Sequence, residues 1–172
     1  MDRRRADFDR FVADSTEALV RTAFLIVWDL QEAEDITQET LLDVARRWPR
    51  VRRMSHPLAY ARRILVNRAV SGADKRARIR SELSVAAPTD RADDAAIADA
   101  IGIHDELMGA LAELPPRQRA VLVLRYFLDL PEAEVAAALK CSLGTVKSTA
   151  SRGLARLEQA MRPTNATRSI TT

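Results

Sequence analysis

The stretch Pro131-Glu-Ala-Glu-Val-Ala-Ala-Ala-Leu-Lys-Cys-Ser-Leu-Gly-Thr-Val-Lys-Ser-Thr-Ala-Ser-Arg-Gly-Leu154 decides the fold of the C-terminal third of the chain. Its first half sets Val135 and Leu139 one helical turn apart, with Ala136 small enough to let a second helix approach closely. Lys140 to Leu143 make a turn, and Ser142 is a good N-cap whose hydroxyl can accept from the amide of Gly144 or Thr145. Val146, Ala150, Leu154 and Leu157 then recur at helical spacing and are expected to face a core. That leaves Lys147, Ser148, Ser151 and Arg152 on the outer face, with Thr145 in the opening turn. A helical hairpin meeting only water would share the spacing. The turn, the cap, the small residue and the basic outer face together point instead to a helix–turn–helix whose second helix meets base edges and phosphates in a major groove.

Working outward, a helix from about Asp105 carries Leu107, Leu111 and Leu114 and stops at Pro115-Pro116. Arg117 to Leu128 holds the dense apolar run Ala120 to Leu124, followed by Tyr126 and Phe127. At the other end of the chain, a short helix is expected around Phe8, Phe11 and Val12. A second starts at Ser15 as N-cap and runs to about Trp28 through Leu19, Val20, Ala23, Phe24 and Val27. A third, from Gln31 to Arg47, buries Ala33, Ile36, Thr40, Leu41 and Val44, and Trp48-Pro49 ends it. After a loop from Arg50 to His56, Pro57 suits the first turn of a helix with Leu58, Ala61, Ile64 and Leu65 inward, ending between Gly72 and Arg80. No stretch alternates as a half-buried strand would. The expectation is an all-α chain of two small helical domains, 1–80 and 105–162, joined by a flexible acidic linker over 81–104 and followed by a disordered tail over 163–172.

Composition excludes several function classes. The 172 residues include five glycines and one cysteine, Cys141, so neither an intramolecular disulfide nor a cysteine-based zinc site is expected. His56 and His104 lack partners at ligand spacing, and no phosphate loop, paired catalytic carboxylates or nucleophile motif occurs. The expectation is therefore a protein without catalytic residues, metal, cofactor or small-molecule substrate. No apolar run approaches the roughly 18 residues of a membrane span. The start, Met1-Asp2-Arg3-Arg4-Arg5, does not read as a signal peptide, so a cytoplasmic location without membrane insertion is expected.

The net charge of +3 decides little, but its distribution is uneven. Residues 29–43 carry Asp29, Glu32, Glu34, Asp35, Glu39 and Asp43 without a cation. Residues 46–80 carry arginines and one lysine, from Arg46 to Arg80, against the single acid Asp74. Blocks of one sign suggest separate partners, the basic block being an electrostatic footprint for nucleic acid. On the acidic helix, Asp35, Gln38, Glu39 and Leu42 fall at i, i+3, i+4 and i+7, an apolar anchor with a charged rim suited to protein docking. On the basic helix, Arg62, Arg63, Asn67, Arg68, Ser71 and Lys75 are expected to face outward. The arginines can neutralise phosphates, and Asn67 can read a base edge.

These residues resemble a known family. Ala33-Glu-Asp-Ile-Thr-Gln-Glu-Thr-Leu-Leu42 is similar to the polymerase-docking motif of the extracytoplasmic-function (ECF) sigma factors, and Pro57-Leu-Ala-Tyr-Ala-Arg-Arg-Ile-Leu-Val-Asn67 to their promoter-melting helix. Leu114-Pro-Pro-Arg-Gln-Arg-Ala-Val-Leu-Val-Leu-Arg-Tyr-Phe127 and the helix–turn–helix resemble their second DNA-binding domain, so the likeness covers roughly residues 7–161 in the family's order. The resemblance implies a sigma2-like domain and a sigma4-like domain that bind core RNA polymerase and promoter DNA. Asp35, Gln38, Glu39 and Leu42 would dock on the beta-prime clamp helices, and the second domain would meet the beta flap. Arg53, Ser55 and His56 would hold a base flipped from the minus-ten strand, next to Arg62, Arg63, Asn67, Arg68, Ser71 and Lys75. Thr145, Lys147, Ser148, Ser151 and Arg152 would read the minus-35 element, and an anti-sigma factor is a further partner the family admits.

The chain departs from the family pattern at three points. Gly72 follows Asn67 where many relatives have aromatic and basic residues, which weakens the helix there. Pro131 stands where many have a Ser or Thr cap, leaving Asp129 as the expected cap, and Lys140 takes a turn position where glycine is common. The main rival, ahead of a protein-sequestering adaptor with vestigial DNA contacts, is a helix–turn–helix regulator that never engages polymerase. It leaves the acidic stripe and the Asn67 helix unexplained.

Overall fold

The computed structural model describes residues 3–83 and 105–162, and the expected linker and tail lie largely outside them. Every regular element among the described residues is helical. The first helix, α1 (Arg3–Val27), is continuous, in place of the two helices expected. Ser15 is not a cap: it is buried, and its hydroxyl donates to the Phe11 carbonyl four residues back at 2.6 Å, which a helix interior tolerates. Phe8 and Phe11 close on Trp48, with ring centroids 5.3 and 5.1 Å apart. The aromatic cluster gives the early turns a reason to stay wound.

Trp28 ends α1 with φ at 57°, and Asp29 then caps α2 (Leu30–Arg46) by accepting from the Glu32 amide at 2.9 Å. α2 buries Ala33, Ile36, Thr37, Thr40 and Val44. The segment after it is not simply a loop. Pro49 sits in the first turn of a short helix, α3 (Trp48–Val51), which drives Trp48 and Val51 into the core.

The next helix, α4 (Pro57–Leu83), runs past every expected end. Gly72 costs such a helix up to about 1 kcal/mol relative to alanine. Buried Val70 and Ala73 hold it on either side, and an ion pair from Arg76 to Glu32 ties the following turn to α2.

The C-terminal helices are α5 (Asp105–Ala112), α6 (Pro116–Leu122), α7 (Glu132–Leu139) and α8 (Leu143–Ala160). A π-helical turn, Val123–Phe127, continues α6, with the Leu128 amide donating to the Val123 carbonyl at 3.0 Å. The extra residue turns Tyr126 outward, beyond what a regular helical pattern could indicate. Asp129 does not cap α7: Pro131 occupies the cap position without a side-chain bond, and Asp129 takes a left-handed φ of 49° in the turn before it. Lys140 closes α7 in the left-handed region that glycine would favour, with φ at 51°.

The apolar side chains of α1, α2 and α4 form one continuous core with those of α5 to α8. α4 packs on α6 and α7, and α1 packs on α6 and the π-helical turn. The two halves of the chain thus lie against each other. No helix among the described residues is long and apolar enough to cross a membrane.

Candidate functional site

Three surfaces carry the predicted residues, and the first is α8. Ser142 caps it by accepting from the Thr145 amide at 3.1 Å, and the two hydroxyls lie 2.9 Å apart. Val146, Thr149, Ala150 and Gly153 make its buried face. A Cβ at Gly153 would stand 3.2 Å from the Leu122 side chain, so glycine sets how closely α8 lies on α6. Leu157 packs against the core as expected. Leu154 does not. It is 41% exposed because Gly153, one position earlier, is the residue aimed at α6.

Lys147, Ser148, Ser151 and Arg152 all reach solvent on the outer face, with Thr145 half-buried at their head. Arg152 Nε donates to the Ser148 carbonyl at 3.2 Å, and Lys147 Nζ lies 3.7 Å from the Glu132 carboxylate. A residue the periodic pattern passed over joins them: Leu143, the first of α8, is 49% exposed. It precedes the core positions of α8, so only its place directly after the cap could have marked it.

The second surface is the outer side of α2. Asp35, Gln38, Glu39 and Leu42 are all exposed, with Leu42 at 58%. Gln31 Nε2 donates to Asp35 Oδ1 at 3.2 Å. Glu39 accepts from Arg68 of α4 at 2.6 Å, and the same guanidinium binds Asp43. That hydrogen bond holds the Asp43 carboxyl below its ordinary 3.8, partly opposed by its burial.

The third surface is the basic side of α4 and the turn before it. Arg53, Ser55, His56, Arg63, Ser71 and Lys75 are exposed, whereas Arg62, Asn67 and Arg68 are half-buried. The outward placement expected for these last three is corrected by the packing. Asn67 Nδ2 donates to the Arg63 carbonyl at 2.7 Å and, across to α7, to the Ala138 carbonyl. Arg62 lines a groove of about 660 Å³ with Glu134 on the opposite wall. A shallower hollow of about 440 Å³ is lined by Pro49, Arg50, Arg53 and Met54.

The opposed charge blocks of the sequence meet in space. Arg68 pairs with Glu39 and Asp43, Arg76 with Glu32, Arg46 with Asp43 at 3.3 Å, and Arg52 with Asp7 at 3.1 Å. Burial pushes the Glu32 carboxyl above its ordinary 4.5 despite the guanidinium beside it. Arg53, Arg62 and Arg63 are turned instead toward the two hollows. No His, Cys, Asp and Glu cluster able to hold a metal ion occurs among the described residues.

Against known families, residues 12–79 match sigma-70 region 2, and residues 104–157 match sigma-70 region 4. The RNA polymerase sigma-E factor of Streptomyces avermitilis is 36% identical over 156 residues, covering 89% of this chain and 84% of that one. The ECF RNA polymerase sigma factor SigG of Mycobacterium tuberculosis is 30% identical over 97% of this chain and 52% of its own. Among solved structures, the sigma factor RpoE of Bartonella quintana, crystallised with the anti-sigma factor NepR, superposes with a TM-score of 0.67. It is 25% identical, with 90% of this chain and 96% of that chain covered. The helix–turn–helix, the acidic and basic helices in order, and these likenesses place the chain in the sigma-70 family of RNA polymerase sigma factors, in the extracytoplasmic-function group, as a factor directing transcription initiation.

Proposed function

We propose that residues 1–80 bind core RNA polymerase and the minus-ten element, that residues 105–162 bind the minus-35 element, and that the chain performs no chemistry of its own. The observation carrying the polymerase assignment is the stripe on α2. Leu42 stands 58% exposed among Asp35, Gln38 and Glu39, an apolar anchor ringed by acceptors, suited to the basic clamp helices of the beta-prime subunit. Arg53, Ser55 and His56 at the head of α4, with Arg62, Arg63, Asn67, Arg68, Ser71 and Lys75 along it, take the minus-ten strand, the cations holding phosphates and Asn67 a base edge.

On α8, Lys147 and Arg152 hold phosphates while Thr145, Ser148 and Ser151 meet base edges of the minus-35 duplex. Leu143 adds an apolar contact of the kind a thymine methyl accepts in the major groove. The second domain also meets the beta flap. An anti-sigma factor is a further candidate partner, supported by the RpoE likeness. Acting on polymerase and promoter, the chain works in the cytoplasm.

Asp35→Arg combined with Leu42→Arg tests the docking assignment without touching the Arg68 ion pairs. Capture of core polymerase should fall at least tenfold with the helical circular dichroism unchanged. Undiminished capture refutes the docking role of α2.

A further inference from the structure

Among the described residues, three that are not glycine hold a left-handed backbone: Trp28, Asp129 and Lys140, with φ of 57°, 49° and 51°. Such a backbone crowds Cβ against the carbonyl that follows, so a side chain persists there only where something offsets the strain. Packing offsets it at Trp28, whose ring lies 5.6 Å from that of Phe24 and 5.9 Å from the Arg119 guanidinium. Asp129 is one of the few residue types that visit this region readily. Lys140 has neither compensation. Its side chain is exposed and makes no hydrogen bond, ion pair or ring contact among the described residues. Glycine would fill the same turn without strain.

The backbone that carries this lysine is firmly held. The Lys140 amide donates to the Ala136 carbonyl, and the Cys141 amide donates to the same oxygen at 3.0 Å. From α6, Arg117 donates to the Leu139 carbonyl at 3.2 Å. Two residues beyond Lys140, Ser142 caps α8. The ammonium therefore rides on a fixed turn just ahead of the recognition helix. At the other end, Arg152 stands nine residues into α8 from Leu143, about 14 Å along the axis at roughly 1.5 Å per residue. A B-form major groove is about 12 Å wide, with a phosphate backbone on each rim. Cations at least that far apart, with Thr145 and Ser148 between them, match the two rims of a groove whose base edges meet the start of α8.

We propose that Lys140 is a phosphate anchor for the minus-35 duplex: its ammonium takes one backbone of the groove while Arg152 takes the other. The strained turn is the cost of carrying a cation at that point. The contact fixes how α8 sits across the groove and reads no base of its own. Glycine would relieve the turn but has no charge to make the contact. The inference rests on the assignment of α8 to the minus-35 element, and it adds a residue that lies outside that helix.

Lys140→Gly and Lys140→Arg in the full chain separate strain from charge. The probe is duplex DNA carrying the upstream element, taken from fragments that the holoenzyme selects out of a genomic pool. For Lys140→Gly, Tm should rise by about 2–4 °C as the turn relaxes. Binding by the variant holoenzyme should nonetheless weaken, with the log affinity against log salt line flatter by about 0.9, the share of one phosphate. The wild type's advantage should accordingly shrink about three- to fourfold between about 50 and 200 mM salt. The loss should be the same on duplexes substituted at single base pairs, since a backbone contact carries no sequence information. Lys140→Arg should match the wild type in both slope and Tm. An unchanged slope for Lys140→Gly overturns the anchor and leaves Lys140 a tolerated residue. A Tm that falls in Lys140→Gly overturns the strain argument on which the anchor stands. If the wild-type holoenzyme binds equally well after the upstream element is scrambled, the assignment of α8 falls first and takes the anchor with it.

Discussion

Arg68 joins the polymerase-facing helix to the DNA-facing one, and a double-mutant cycle can measure that link. Its guanidinium reaches Glu39 and Asp43, but the two acids differ in exposure: the Glu39 side chain is 61% exposed and that of Asp43 only 20%. The first pair is a surface ion pair, with an expected coupling of a few tenths of a kcal/mol. The second is a charge-assisted hydrogen bond on a mostly covered carboxylate, nominally about 1.5–3 kcal/mol. Arg68 itself is 36% exposed, so solvent screening reduces the expected coupling to about 1 kcal/mol.

The pH dependence has a definite sign. The Asp43 carboxyl is held below its ordinary 3.8, chiefly by the Arg68 hydrogen bond, so its contribution is fully present above 3.8 and is lost as pH falls through the lower folded value. The cycle of Arg68→Ala and Asp43→Asn, read by urea unfolding, should therefore show about 1 kcal/mol of coupling near pH 7 and much less near pH 3. Each single variant should lower Tm by about 2–4 °C. A coupling near zero at neutral pH, or one equal at both pH values, refutes the reasoning.

Two further outcomes concern α8. Lys147→Ala with Arg152→Ala should weaken binding to the minus-35 duplex and flatten the log affinity against log salt line by up to about one unit for each phosphate no longer neutralised; an unchanged slope shows that neither side chain neutralises a phosphate. If Leu143 meets a thymine methyl, replacing thymine by deoxyuridine at one minus-35 position should weaken the wild type severalfold and leave Leu143→Ala indifferent to the exchange. Equal sensitivity of both proteins at every thymine would remove Leu143 from base recognition.

Much of this architecture was legible because helical spacing and capping act locally. The Ser142 cap, the buried Val135, Val146 and Ala150, and the exposed Leu42 all follow from positions a few residues apart. The same locality explains the misses. Ser15 looks like a cap from its neighbours, but the aromatic packing of Phe8 and Phe11 on Trp48 lies more than a helix away in sequence. Gly72 looks like a helix end until Arg76 reaches Glu32 on another element. Asp129 resembles a cap until the π-helical turn resets the path of the chain, and Leu154 resembles core until Gly153 proves to be the residue facing Leu122.

For the site, residue types and order were readable but their availability was not. The acidic and basic blocks look like footprints of two separate partners, whereas several of their members are paired with each other. Nor does any local pattern announce that the amide of Asn67 is engaged by Ala138.

The most direct test of the central claim is promoter opening by purified core polymerase on a pool of genomic promoter fragments, with and without the full chain. A discrete subset of fragments should open only when the protein is present, and those fragments should share two sequence elements at a fixed spacing. Duplex binding by the chain alone, without dependence on polymerase and without strand opening, would contradict the assignment of α2 and α4 and leave only a helix–turn–helix that binds DNA.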